Sequence, residues 1–156
     1  MKYLFFILFY LLTTTNASQV SPLNAYPIES SSNDTVDKVC FLSYWCIFIY
    51  NDINHPITVH IQSKDDDLGN RTVIFKDYTK WYFCKKAGTL FYAHFYWNSR
   101  TAFFDVYDVQ TAEDYCEDIN PFKRQNCYWL VREDGFYLSR HYKPFPRDWY
   151  KLHDWL

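Results

Sequence analysis

Three consecutive carboxylates, Asp65-Asp66-Asp67, stand inside the run Ser63-Lys64-Asp65-Asp66-Asp67-Leu68-Gly69. Carboxylates grouped in this way can hold a divalent cation, transfer protons or meet a cationic partner. A calcium loop of the EF-hand type needs alternating oxygen ligands, Gly at its sixth position and a distal Glu. Contiguous aspartates send their side chains in diverging directions, so no metal is assigned to them. Adjacent like charges also repel and are costly to bury. They call for solvent or backbone donors. A short run with strand character, Thr58-Val59-His60-Ile61-Gln62, precedes them. The triplet is therefore placed in an exposed connection between two strands, with its carboxylates solvated.

The other groups capable of chemistry are scattered. The histidines are His55, His60, His94, His141 and His153. A hydrolase triad needs a nucleophile, a base and an orienting acid that converge. No G-x-S-x-G motif occurs and no acidic pair is framed as in glycosidases. No catalytic residue or cofactor is assigned, and the chain is read as non-enzymatic. Aromatic residues make up 22% of the chain. Exposed Trp and Tyr platforms serve sugar-binding modules and single-strand nucleic-acid modules. The preferred reading is that Trp and Phe fill a core and Tyr lines its rim. A net charge of −2 argues against nucleic acid, which needs a clustered basic surface. Lys85-Lys86 and Lys123-Arg124 are too small to change that.

The N-terminus sets the compartment. Lys2 supplies a positive start, Tyr3 to Leu12 is an apolar run, and Thr15-Asn16-Ala17 offers small residues for cleavage. Residues 1–17 thus read as a secretory signal peptide. The apolar run is too short to span a bilayer, so no membrane insertion is expected after cleavage. In a secreted chain Cys40, Cys46, Cys84, Cys116 and Cys127 should mostly be oxidised. Their odd number leaves at least one free or bonded to another chain. Asn33-Asp34-Thr35 and Asn70-Arg71-Thr72 are glycosylation sequons. They mark Asn33 in a polar arm and Asn70 in a loop beyond the Asp block.

Those groups need a scaffold. Residues 18–40 are rich in Ser, Asn, Asp and Pro and read as a flexible arm. Residues 41–156 read as one domain. Eight aromatic and β-branched runs follow: Trp45–Tyr50, Ile57–Gln62, Thr72–Phe75, Thr79–Phe83, Thr89–Trp97, Ala102–Tyr107, Cys127–Arg132 and Phe136–Ser139. Turn residues separate them, and Asp134-Gly135 is a strong hairpin signal. No segment carries an apolar stripe of helical length. The fold class is all-β, an antiparallel β-sandwich of about eight strands. Alternation in Thr89–Trp97 sends Phe91, Ala93, Phe95 and Trp97 to the core. It leaves Leu90, Tyr92, His94 and Tyr96 on the other face.

Several of these motifs occur together in one known family. His60-x-x-Ser63-Lys64-Asp65-Asp66-Asp67-Leu68-Gly69 resembles the signature of the plant self-incompatibility S-proteins. Trp81-Tyr82-Phe83, Gly88-Thr89-Leu90-Phe91, Phe95-Tyr96-Trp97, Phe104-Asp105-Val106-Tyr107-Asp108 and Cys127-Tyr128-Trp129-x-Val131-Arg132-Glu133-Asp134-Gly135 follow in the family's order. The resemblance implies an eight-stranded β-sandwich. It implies a secreted recognition ligand, since some members are female-side determinants of pollen rejection. Cys116 and Cys127 match a cysteine pair of the family, which implies a disulfide. They also bracket a long segment with no core of its own. Many members carry Cys at the positions of Ile61 and Ala93, so this chain lacks that bridge. The pairing among Cys40, Cys46 and Cys84 stays open, with Cys84 bonded to either of the others.

The functional expectation is a small extracellular ligand for a cell-surface receptor, with loops carrying specificity on a rigid scaffold. The candidate loops are 51–56, 64–71, 98–100 and 108–126. Within them the candidate recognition residues are Lys64, Asp65, Asp66, Asp67, Asn98 and Arg100. A monomer is expected, with an intermolecular disulfide open to the odd cysteine. The alternative is a secreted carbohydrate-binding module that uses exposed aromatic residues.

Overall fold

The computed structural model describes residue 40, residues 44–120 and residues 122–156. Residues 1–17, read as a signal peptide, residues 18–39 of the segment read as an arm, and the Asn33 sequon lie outside the described residues. The described strands are β1 (Tyr44–Asn51), β2 (Ile57–Ser63), β3 (Asp67–Val73), β4 (Tyr78–Cys84), β5 (Phe91–Trp97), β6 (Arg100–Tyr107), β7 (Gln125–Arg132), β8 (Gly135–Ser139) and β9 (Tyr150–His153). One helix, α1 (Val109–Tyr115), lies between β6 and β7.

The strands form two sheets. One has the order β4-β1-β7-β8-β9 and the other β3-β2-β5-β6. Their inner faces pack together: Phe95 of β5 lies 4.8 Å from Phe136 of β8, and Phe104 of β6 lies 5.1 Å from Trp129 of β7, between ring centroids. The architecture is the expected β-sandwich. Its pairing is antiparallel except between β1 and β7, which run parallel. That exception follows from chain path, because β5 and β6 of the other sheet and α1 intervene before β7, which therefore joins β1 by a crossover and not by a hairpin.

Alternation places the core as the residue pattern requires. Phe91, Ala93, Phe95 and Trp97 point inward and are buried, as are Trp45, Ile47 and Ile49 on β1. Fully burying one such side chain is worth about 1.5–3 kcal/mol. The indole N–H of buried Trp129 donates to Val106 O at 2.9 Å, so its polar atom is satisfied. Ile61 and Ala93 are direct register partners on β2 and β5, and both are fully buried. Antiparallel partners stand about 4.5–5.5 Å apart at Cα. The position of the absent bridge is thus filled by one large and one small apolar side chain.

Three elements depart from the sequence reading. Asp67–Val73 is a strand, although only Val73 in it is buried. As an edge strand it pairs through its backbone to β2 and buries little, so the run read at Thr72–Phe75 catches only its last two residues, and Ile74 and Phe75 lie beyond it, exposed. Asn70 therefore lies within β3, opposite His60, and not in a loop; it is exposed there. Segment 108–126 contains α1, whose start is capped by Asp108 accepting from the Thr111 N–H at 2.9 Å. Only Ala112 of this helix is buried, which is why no apolar stripe marks it. β9 is four residues long, with Tyr150 and Lys151 exposed and Leu152 and His153 packed on the core, and it is the ninth strand among the described residues.

Candidate functional site

The Asp triplet divides into two kinds of carboxylate. Ser63 and Asp66 close a tight turn, with the Ser63 N–H donating to Asp66 O at 2.7 Å. The Ser63 hydroxyl oxygen accepts from the Asp66 N–H at 2.9 Å and the Asp65 N–H at 3.3 Å. Backbone donors thus hold the turn, and the side chains of Lys64, Asp65 and Asp66 are left exposed. Asp67 begins β3 instead. Its Oδ1 accepts from the Gly69 N–H and from His60 Nε2, each at 2.8 Å, and its Oδ2 accepts from Gln62 Nε2 at 3.3 Å. An ionised carboxylate only accepts, so His60 carries its proton on Nε2. The Gly69 N–H, and then His60, hold the Asp67 carboxyl below its usual range. Asp67 is therefore a structural acceptor that fixes the root of the turn, and not the freely solvated carboxylate expected from its neighbours.

The same end of the sandwich gathers further features. In the register of β2 with β5, Ser63 stands opposite Phe91. The connection Lys85–Leu90 leads into Phe91, and α1 follows Tyr107, which also pairs with Phe91. An open cleft there is lined by Asp65, Asp66, Lys86, Gly88 and Leu90 beside Cys84. Lys85 Nζ meets Glu113 of α1 at 3.0 Å and ties two of these connections together.

Both disulfides staple this end. Cys116 and Cys127 are bonded, with Cα atoms 5.1 Å apart. Cys40 bonds Cys84 at the end of β4, with Cα atoms 5.7 Å apart. The last residue read as flexible arm is thus anchored covalently to the sheet. Cys46 is the remaining thiol and is fully buried. Burial pushes its pKa up, which suppresses the reactive thiolate. Cys46 is thus the odd cysteine for which the sequence leaves an intermolecular disulfide open, and its thiol is buried.

Asn98 and Arg100 do not join Lys64–Asp67. They form the β5–β6 turn, where Asn98 adopts φ 53°. Arg100 Nη1 donates to Glu133 O at 2.9 Å, and its guanidinium lies 5.1 Å from the Trp97 ring. This turn sits at the opposite end of the sheet, the full length of β5 from the Asp turn, about 20 Å for six residue steps. Loop 51–56 lies at that far end as well. It is organised by buried Asn51, whose Nδ2 donates to His55 O at 2.8 Å and to Val73 O at 2.9 Å. The expected single recognition surface therefore separates into two ends.

The outer face of the four-stranded sheet brings His60 opposite His94, with ring centroids 6.4 Å apart. Among the described residues no group of three or more His, Cys, Asp or Glu could hold a metal ion.

Comparison with known proteins decides the family. The family described as plant self-incompatibility protein S1 matches residues 46–155, which span both sheets. The chain belongs to this family. S-protein homolog 5 of Arabidopsis thaliana is 36% identical over 94 residues, 58% of this chain and 67% of that one. S-protein homolog 2 of the same plant is 30% identical over 138 residues, 86% of this chain and 83% of its own. A solved structure of SPH (self-incompatibility protein homologue) proteins, described as small, highly stable and secreted, superposes with a TM-score of 0.53. It shares 15% identity and covers 73% of this chain and 96% of its own. At that identity it shows the shared sandwich. The S-protein signature spans both the exposed turn and the acceptor that fixes it. His60 and Asp67 are seven residues apart and meet because the chain reverses tightly between them. The spacing of a His and an Asp across a four-residue turn was the signal available for this pair.

Proposed function

We propose that this S-protein is a secreted recognition ligand, non-catalytic, that binds a cell-surface receptor through the doubly stapled end of its sandwich. The observation that carries this reading is the exposed turn of Lys64, Asp65 and Asp66, held rigid by Ser63 and by the His60–Asp67 bond. Two carboxylates with no cationic partner among the described residues, on a fixed backbone, lose little conformational freedom on meeting a cationic partner. Their charge also steers encounter with a basic surface. Secretion is supported by the Lys2-led apolar run and by the description of the SPH proteins as secreted.

The test is saturable binding of the labelled domain to intact plant cells, abolished by prior protease treatment of the cells. Asp65→Asn with Asp66→Asn should weaken binding about tenfold or more, with the melting temperature unchanged. Asn98→Ala at the far end should leave it intact. Equal binding by the Asp65/Asp66 variant and the wild type would refute the assignment of this end.

A further inference from the structure

The outer face of the five-stranded sheet carries a second surface. Alternation sends Tyr78, Lys80 and Tyr82 of β4 to this face, opposite Tyr50, Phe48 and Cys46 of β1. The parallel pairing sets Tyr128 of β7 beside Phe48. Their rings form a layer. Tyr44 stacks on Tyr82 at 5.8 Å, Tyr50 lies 4.8 Å from Tyr78, and Phe48 lies 4.8 Å from Tyr128. Phe48 is buried within it, whereas Tyr44, Tyr78 and Tyr82 are 39%, 41% and 42% exposed. Exposed tyrosines offer flat apolar faces and hydroxyls together.

Two cations sit over these rings. Lys80 Nζ lies 5.6 Å from the Tyr82 centroid and 5.7 Å from that of Tyr78, and the Arg124 guanidinium lies 5.6 Å from Tyr82. Among the described residues neither meets a carboxylate, although Lys76, Lys85, Lys143 and Lys151 each do. Strands β1, β4 and β7 contain no Asp or Glu at all. The chain as a whole has 18 and is net negative. The nearest in sequence to β4, Asp77, lies in the turn before it. A carboxylate-free face with two unpaired cations creates a local positive field on an otherwise acidic molecule.

We propose that this face binds a linear polyuronate, with sugar rings laid on Tyr44, Tyr78 and Tyr82 and uronate carboxylates on Lys80 and Arg124. Along β4, ring, cation and ring alternate at every second residue, about 6.6 Å apart. Each residue of a hexuronate polymer presents both an apolar C–H face and a carboxylate, so the ligand carries the same pair of features. An acidic peptide fits less well. It would pair by its main chain with the open edge of β4, and its carboxylate side chains bring no flat apolar face to the tyrosines.

Titration calorimetry with polygalacturonate, poly-L-glutamate and dextran tests this on the secreted protein. At low ionic strength polygalacturonate should bind and the other two should not, and added salt should weaken the binding. Lys80→Gln with Arg124→Gln should lower affinity about tenfold or more. Lys143→Gln with Lys151→Gln removes the same charge from cations that already have carboxylate partners, and should leave affinity within about twofold. Tyr82→Ala should also weaken binding. Lys80 and Arg124 are exposed, so their removal leaves the fold intact, which the melting temperature checks. No binding of polygalacturonate, equal affinity for poly-L-glutamate, or equal loss in the two charge variants would overturn the proposal. The Asp turn lies apart from this face, so failure of either reading leaves the other standing.

Discussion

Asp66 and Asp67 are adjacent in sequence and differ in what they touch. The Asp66 carboxylate faces solvent, while Asp67 accepts from Gly69, His60 and Gln62. Asp66→Asn should therefore change stability by under about 0.5 kcal/mol. Asp67→Asn should lower the melting temperature at neutral pH, because it keeps one acceptor oxygen but loses the negative charge and the second oxygen, on which the bonds from His60 and Gln62 rest. The pH dependence has a definite sign. The Asp67 carboxyl is held below its usual value of 3.8. Its contribution is fully present above that value and is lost as pH falls through the lower folded-state value. Thermal melts of wild type and Asp67→Asn should thus differ at pH 7 and converge at strongly acidic pH. A gap that persists unchanged in acid would show that the ionised carboxylate is not what fixes the turn.

At the scale of elements, the pairing of β2 with β5 carries a sharp test. Ile61 and Ala93 are register partners and both are buried. Adjacent strands in this register place Cβ atoms near the 3.5–4.5 Å that a disulfide spans. Ile61→Cys with Ala93→Cys should oxidise without moving the strands and stabilise by about 2–4 kcal/mol. Either single change should give no gain, and Ile61→Cys alone should destabilise by removing buried volume. Denaturant unfolding with and without reductant reads the difference. Two free thiols in the oxidised double variant would break the correspondence with the family's bridge. The elements missed or misplaced from sequence carry weak patterns. β3 and α1 each bury a single residue and β9 is only four residues long, and hydrophobic periodicity reports burial over a longer run. They are held by backbone pairing and a cap, which leave little trace in side-chain type.

At the scale of the whole molecule, the two disulfides tie one end of the sandwich and leave the other to noncovalent contacts. Cys116 and Cys127 are 11 residues apart, and Cys40 and Cys84 are 44 apart. In the chain-entropy model these closures are worth about 3 and about 4 kcal/mol. Replacing Cys116 and Cys127 with Ala should lower unfolding free energy by about 3 kcal/mol, measured in denaturant. No change would mean that the helical connection is already ordered without its bridge.

Much of this was legible in the sequence because it is local. Period-two alternation fixed the inward face of Phe91, Ala93, Phe95 and Trp97, since successive strand residues point to opposite sides whatever the partner strand. The exposure of Asp65 and Asp66 followed from charge repulsion between neighbours. The motif order carried the family. Other features depend on strand order across the two sheets, which no local pattern encodes. β1 lies between β4 and β7, and only that arrangement sets three carboxylate-free strands side by side and brings Arg124 over Tyr82 beside Lys80. The choice of Cys40 as partner for Cys84, with Cys46 buried under the side chains of the outer face, needed the position of β4 at the sheet edge. Turns 63–66 and 98–99 fell at opposite ends because β2 and β5 run antiparallel as direct neighbours. Residue type determined what each side chain could do, and long-range pairing, through the burial of both inner faces, decided which of them meet.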